Sequence, residues 1–315
     1  MADLNYYIKS INEIFNIESN RYKAHELCKP LLWEMAKKES ILFEIIKKNI
    51  EKPDFFKQKR INPVIAFEIE TNQTVSFVAH CWLPLPSKRN DITHQSIHHH
   101  GKLLLTSVAA FGKGYESIVF KKGYSIDKKS GITNIQIDKT YSNPHLNIEF
   151  IDTDTPHVVF YPSEFSITYA LWTNVEAAAA ESMKKIGFIK KYKKQLRKMV
   201  DFFGAASLLG LNTNQYLDFY PEKNKIIALK SRVMYPVGGN ESFLKGLFSI
   251  LQTVKYNDLN SIKNVIDKNS SENKLMLEDL FEKLKSNQKI DDEFEKEHLN
   301  IKHINFEKDY LLKCI

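Results

Sequence analysis

The chain has 315 residues, of which 43% are hydrophobic and 26% are charged, and this composition excludes an intrinsically disordered protein. No run of about 18 apolar residues occurs, which excludes a membrane-spanning helix. The three cysteines are odd in number and far apart, and the N-terminal residues do not have the pattern of a secretory signal. We therefore expect a cytoplasmic protein with reduced thiols.

Residues 1–55 have the apolar spacing of helices. Apolar side chains recur at helical intervals at Leu4, Tyr7, Ile8, Ile11 and Ile14. A longer stretch without glycine runs from His25 to Lys48, and Pro30 is expected in its first turn or at a kink. We expect this N-terminal helical segment to pack on the domain that follows.

In residues 56–173 the apolar period changes to two, which is typical of β-strands. Strand candidates cover residues 64–70, 74–83, 103–110, 115–122, 133–138, 145–150, 156–161 and 166–172. Glycine, proline and asparagine separate many of these strands, and Thr71-Asn72-Gln73 predicts a hairpin between the first two. Many short strands with regular turns favour a sandwich or a small barrel.

Residues 174–315 return to a helical pattern. Candidate helices near the end cover residues 241–255, 259–267, 274–285 and 291–298. Eight basic residues and no acid lie between Lys184 and Lys198, in a chain whose net charge is +7. This basic stretch could meet nucleic acid, an anionic membrane surface or an acidic partner. We favour a solvated helix face, because one such patch is common on basic proteins.

Histidines are concentrated in the strand-rich region. Four fall within seven residues, at His94, His98, His99 and His100, and His157 follows on a later strand. Neutral imidazole is a common ligand of transition metals. Because alternate residues of a strand face the same way, His98 and His100 share one face and His99 points to the other. We predict that His98, His100 and His157 hold a metal ion; a surface histidine cluster is the alternative.

These features resemble the cupin superfamily. The first motif of that family places His-x-His ahead of a glycine turn, as His98-x-His100 and Gly112 or Gly114 do here. The second motif places one histidine after a short turn, as in Pro156-His157. The resemblance implies an α+β fold. Residues 56–173 would form a cupin-like double-stranded β-helix barrel, flanked by the N-terminal helical segment 1–55 and a C-terminal helical region, 174–315.

The chain departs from the family at one ligand position. The usual carboxylate ligand would fall near Leu104, Leu105 or Thr106, and none of these is acidic. Three neutral imidazoles leave a divalent ion its full charge, which favours an anionic chelating substrate. Such a set resembles the thiol dioxygenase branch, which implies Fe(II), dioxygen and a small amino-acid-like or thiol-bearing substrate. Zinc, nickel, manganese and cobalt are also compatible with the spacing.

Other residues are predicted to complete the pocket. Candidate catalytic groups are Tyr115, Tyr161 and His94, with Tyr141 as a further tyrosine able to donate a hydrogen bond to bound oxygen. His94 is also an alternative to one of the three ligands. Candidate clamps for a substrate carboxylate are Arg60, Arg89 and Lys102. The family resemblance further implies a homodimer.

Two other functions are kept beside the oxygen-using enzyme. One is a non-catalytic cupin-like binding protein with the C-terminal helical region as interaction module, and the other is a metal-dependent isomerase or lyase. The 2-oxoglutarate oxygenases use His-x-Asp or His-x-Glu, and no histidine of this chain is followed two residues later by an acid. That class is therefore disfavoured.

Overall fold

The computed structural model describes residues 2–52, 54–60, 64–83, 96–142, 144–174, 218–229, 239–268, 273–290 and 306–315. The predictions made for His94, Arg89, the basic stretch 184–198 and the helix at 291–298 lie outside these ranges. None of the described helices is long and apolar enough to cross a membrane. The three cysteines are buried and form no disulfide with one another.

Three helices begin the chain: α1 (Leu4–Ile17), α2 (Arg21–Ala36) and α3 (Glu39–Ile50). The side chain of Asn20 accepts hydrogen bonds from two backbone N–H groups and so caps the start of α2. Helix α2 therefore begins well before Pro30, which lies inside it, and the prediction of a first-turn proline is corrected. The continuous stretch predicted from His25 to Lys48 is divided between α2 and α3, because the chain turns at residues 37–38.

Thirteen strands follow in the described part of the chain. They are β1 (Ile65–Thr71), β2 (Val75–Trp82), β3 (Ile97–His98), β4 (Leu103–Phe111), β5 (Glu116–Phe120), β6 (Ser125–Ile126), β7 (Ile132–Asn134), β8 (Ile137–Ser142), β9 (Ile148–Ile151), β10 (His157–Val159), β11 (Ser166–Asn174), β12 (Asp218–Glu222) and β13 (Lys225–Leu229). The hairpin predicted at residues 71–73 is confirmed, since β1 and β2 pair antiparallel across it. Its turn closes with the backbone N–H of Asn72 donating to the carbonyl of Val75.

The strands form two antiparallel sheets. One sheet has the order β1-β2-β11-β4-β9, and the other has the order β6-β7-β13-β12-β3-β10-β5-β8. Without its additional strands, the first sheet is β2-β11-β4-β9 and the second is β3-β10-β5-β8. The chain crosses between them in the sequence expected of an eight-stranded jelly roll, the double-sheet arrangement that cupins have. The predicted cupin-like double-stranded β-helix with flanking helices is therefore confirmed.

The outer face of the five-stranded sheet forms one core with the helices. Four later helices are described: α4 (Asn240–Thr253), α5 (Leu259–Lys268), α6 (Lys274–Lys285) and α7 (Lys308–Cys314). Side chains of α1 to α6 share this core with alternate residues of β2, such as Phe77, Ala79 and Cys81. Helices α1 to α6 thus cover one side of the barrel, whereas α7 packs on the outer face of the eight-stranded sheet, near Ile97 and Phe219.

The sequence pattern predicted a helical region after Thr173. This prediction is wrong in part, because two strands occur there. Strands β12 and β13 form a hairpin that extends the eight-stranded sheet, with β12 paired to β3. At its turn Lys223 and Asn224 both have positive φ, the backbone geometry of a type I′ hairpin turn. Asparagine tolerates this conformation, but the turn contains no glycine, and so its sequence signal is weak.

Candidate metal centre

Three histidines meet inside the barrel. His98 lies on β3 and His157 lies directly opposite it on the neighbouring strand β10. His100 follows just beyond β3, and the imidazole centroids of the three rings are 4.5–4.7 Å apart. One nitrogen from each ring lies within 4.8 Å of those of the other two. The predicted convergence of His98, His100 and His157 is present.

Backbone carbonyls orient two of these rings. The Nδ1–H of His98 donates to the carbonyl of Ser96 at 2.8 Å, and the Nδ1–H of His157 donates to that of Thr155 at 3.0 Å. A carbonyl can only accept, so Nδ1 carries the proton in both rings and Nε2 presents its lone pair. Metal-binding histidines are commonly held in this way by a carbonyl on the other nitrogen. The local chain therefore fixes the tautomer that a metal requires.

The spacing of the nitrogens suits a single ion. The Nε2 atoms of His98 and His100 are 3.0 Å apart. Two nitrogens bonded at about 2.1 Å to one ion, at a right angle, stand about 3.0 Å apart. Burial lowers the pKa of His157 to about 4, and this keeps its imidazole neutral at physiological pH. The three residues therefore fit a divalent transition metal.

No carboxylate of the described residues joins this group. Among the described residues, the set of possible metal ligands consists of the three histidines alone. Where a cupin carboxylate was expected, Leu105 packs between the two sheets with Val119, Ile151 and Ala170. Thr106 is hydrogen-bonded to His25 of α2. Of the candidate carboxylate positions, Leu105 is thus apolar and faces the interior, whereas Thr106 faces outward and contacts α2.

His99 points away from the centre, as the alternation predicted. Its Nε2 lies 3.1 Å from the hydroxyl of Tyr124, and its Nδ1 accepts a hydrogen bond from the N–H of Gly101. Asp154 is 3.6 Å from the same Nδ1. His99 thus belongs to the outer surface of the eight-stranded sheet.

Trp172 forms a wall of the site that the sequence analysis did not single out. Its ring centroid lies 4.4 Å from that of His100, in an edge-on arrangement. On β2 the outward side chains are buried, whereas the inward ones, Ser76, Val78 and His80, are partly exposed. The inner face of the five-stranded sheet is therefore partly accessible to solvent at β2.

The other predicted site residues that the structure describes do not belong to the three-histidine group, and each has its own surroundings. Tyr115 is buried in an apolar cluster with Val64, Trp82 and Val159, the last of which is two residues beyond His157. Tyr161 is 1% exposed. Lys102 is half-exposed and its Nζ lies 3.1 Å from an oxygen of Asp154. Arg60 is buried beside α4, where a Cβ on Gly246 would lie 3.0 Å from its Nη1.

The chain is similar to several solved structures at low sequence identity and over less than half of its length. No protein-family model and no curated protein matches the sequence. The chain is similar to a solved cupin superfamily protein from Desulfitobacterium hafniense DCB-2, at 7% identity, with 39% of this chain and 87% of that chain covered and a TM-score of 0.23. An uncharacterised protein with a double-stranded β-helix domain from Klebsiella pneumoniae is similar at 11% identity, with 40% and 90% covered and a TM-score of 0.24.

A further similar structure is the DMSP lyase DddQ from Ruegeria pomeroyi DSS-3. Its identity with this chain is 8% and its TM-score 0.26, and the match covers 38% of this chain and 56% of the lyase. The fold assignment rests on the strand order and the strand crossings of the protein itself.

Proposed function

We propose that the protein is a mononuclear non-haem iron oxidoreductase that uses dioxygen on a small anionic substrate, amino-acid-like or thiol-bearing. The observation that carries the proposal is a three-histidine set to which no carboxylate of the described residues belongs. Three neutral ligands leave a divalent ion its full charge, and that charge favours a thiolate or a carboxylate as the next ligand.

The roles of the residues follow from their contacts. His98, His100 and His157 would hold ferrous iron, which would supply a Lewis-acidic and redox-active centre for an anionic substrate and dioxygen. The carbonyls of Ser96 and Thr155 keep two of the rings in the binding orientation. Leu105 and its apolar neighbours exclude water from one side of the interior. Tyr115 and Tyr161 remain our candidates for donating a hydrogen bond to the oxygen-bearing species.

Metal analysis and oxygen uptake test this function. We expect the wild-type protein to take up about one Fe(II) per chain and to consume oxygen with a cysteine-like or related substrate. His98→Ala and His157→Ala should lose both properties. His99→Gln is the matched control, because His99 is the adjacent histidine that faces outward and its replacement should leave both unchanged.

The contrary outcomes are distinct. A wild-type protein that purifies without metal and gains none from Fe(II) would exclude the proposal. Turnover of a substrate under strict anaerobiosis would instead assign the centre to a metal-dependent lyase or isomerase.

A further inference from the structure

The barrel interior contains a second polar feature, formed by Glu149 on β9 and Ser107 on β4. These residues are directly opposite each other in the antiparallel pair. Two positions along the same strands, Ile151 and Leu105 pack between the two sheets. Because alternate residues of a strand face the same side, Glu149 and Ser107 also face the interior. We call this pair the Glu149 subsite.

The subsite contains two buried polar atoms, Oε1 of Glu149 and the hydroxyl oxygen of Ser107. Glu149 is 6% exposed and Ser107 is 2% exposed. Among the described residues, no group hydrogen-bonds to the Oε1 of Glu149 or to the hydroxyl of Ser107. Among the described residues, the half-exposed Lys139 forms an ion pair with Glu149, with its ammonium 3.8 Å from Oε1, which is longer than a hydrogen bond. Buried polar atoms are almost always paired, so this arrangement calls for a partner.

The position of the subsite relative to the histidines follows from the strand register. His157 is opposite Val119 on β5, and Val119 is opposite Lys139 on β8. Two strand spacings, about 10 Å, therefore separate the backbone of His157 from that of Lys139, which contacts Glu149. A molecule with polar groups at its two ends is therefore the kind of ligand that suits both the subsite and the histidines.

We propose that the Glu149 subsite binds the primary ammonium group of the substrate, while a carboxylate or thiolate at the other end of the molecule reaches the three histidines. This inference rests on the proposed function for the anionic end only. The substrate class is then an unbranched amine with a distal anionic group.

The chemistry of the subsite selects an amine. An ammonium group offers three donors and no acceptor, whereas Glu149 and Ser107 offer carboxyl and hydroxyl oxygens. Burial raises the pKa of Glu149 to about 8, so the carboxyl is largely neutral at pH 7 until a cation arrives. An adjacent positive charge favours the ionised carboxylate and thereby strengthens the contact.

Calorimetric binding to the Zn(II)-loaded protein tests the proposal without turnover. The probes are 4-aminobutanoate and 6-aminohexanoate, each compared with the carboxylate of equal length that lacks the amine. We expect the better amine to bind about 10-fold more tightly than its plain carboxylate. Glu149→Gln should remove this preference and leave the affinity for the plain carboxylate unchanged. Glu164→Gln, which changes an exposed carboxylate paired with Lys113, is the control.

A second arm uses hexylammonium and metal-free protein, so that it reports on the subsite alone. If wild-type protein binds hexylammonium and Glu149→Gln does not, the subsite is supported. This holds even if the histidines bind no iron, a result that would contradict only the proposed function. If hexylammonium does not bind the wild type, or binds Glu149→Gln equally well, the subsite inference is overturned. Should that variant fail to fold, Ser107→Ala and a carbon-13 NMR titration of Glu149 decide. Hexylammonium must then lower the pKa of Glu149.

Discussion

The outer face of the five-stranded sheet and the inner face of the barrel each bury a histidine, His25 and His157, and the two differ in the partners of their ring nitrogens. On the outer face, His25 of α2 has both ring nitrogens at 2.7 Å from threonine hydroxyls, those of Thr106 and Thr173. On the inner face, one ring nitrogen of His157 donates a hydrogen bond to the carbonyl of Thr155, and the other lies close to two further histidines. Both rings are almost fully buried.

This difference separates a packing histidine from a ligand. Burial lowers the pKa of His25 to about 3 and that of His157 to about 4, so neither burial nor charge state distinguishes them. What distinguishes them is the partner of the second nitrogen. His25 is saturated and joins a helix to the sheet, whereas His157 has a directed lone pair in a solvent-accessible interior. The inner face can therefore bind a ligand, and the outer face cannot.

The first prediction concerns metal-linked stability. A metal that binds only the folded protein, present at about 100 times its dissociation constant, stabilises it by about 2.7 kcal/mol. We expect Zn(II) to raise the melting temperature of the wild type accordingly, and His157→Ala to abolish the shift. Thermal unfolding with and without Zn(II) measures it.

His25→Phe and His99→Gln serve as controls for this experiment. Both should keep the zinc-dependent shift, because neither residue belongs to the histidine group. A shift retained in His157→Ala, or lost in His25→Phe, would break the distinction between the two faces.

The second prediction concerns the outer histidine. Phenylalanine at position 25 keeps the ring packing against Phe15 and Phe150 but leaves two buried threonine hydroxyls unsatisfied. We expect His25→Phe to lower the free energy of unfolding by about 2–4 kcal/mol, measured by urea denaturation at pH 8. Adding Thr106→Val and Thr173→Val should restore most of the loss. No recovery would mean that the hydroxyls are not the cause.

The histidine centre could be predicted from the sequence because its geometry is local. Alternation placed His98 and His100 on one face, and a proline turn before His157 marked the return strand. The period of two in the apolar residues predicted a sandwich or a small barrel, and the resemblance of the histidine motifs to the cupin superfamily implied the double-stranded β-helix. These features depend on neighbouring residues within one segment, and such information is present in a sequence.

The Glu149 subsite could not be predicted in the same way. Glu149 meets Ser107 only through the register of β4 and β9, which the packing of the whole sheet determines. Likewise, the division between α2 and α3 carries neither glycine nor proline. The hairpin of β12 and β13 turns through Lys223 and Asn224 without glycine. In each case tertiary contacts outweigh a weak local signal.

The third prediction compares the wild type with His25→Phe as the pH falls. The folded pKa of His25 lies below its unfolded value, so the stability it confers is present above about pH 6.5 and is lost as the pH falls towards 3. When the pH falls from 7 to 5, the free energy of unfolding of the wild type should decrease by about 2 kcal/mol more than that of His25→Phe. His80 and His157, whose pKa values burial lowers to about 4, contribute equally to both proteins. A constant difference between the two proteins would show that His25 is not the titrating group.

The smallest effect has the opposite sign and belongs to the inner face. The pKa of Glu149 is raised, so its contribution to stability is full below about pH 4.5 and is lost as the pH rises towards 8. The glutamine of Glu149→Gln does not titrate. Between pH 6 and pH 7 the free energy of unfolding of this variant, measured by urea denaturation, should therefore rise by about 1 kcal/mol relative to that of the wild type. Glu164→Gln, on the surface, should show no such gain. The buried carboxyl of Glu149 thus lowers stability near neutral pH, where His25 on the outer face contributes to it. Parallel pH profiles of the wild type and Glu149→Gln would contradict this assignment.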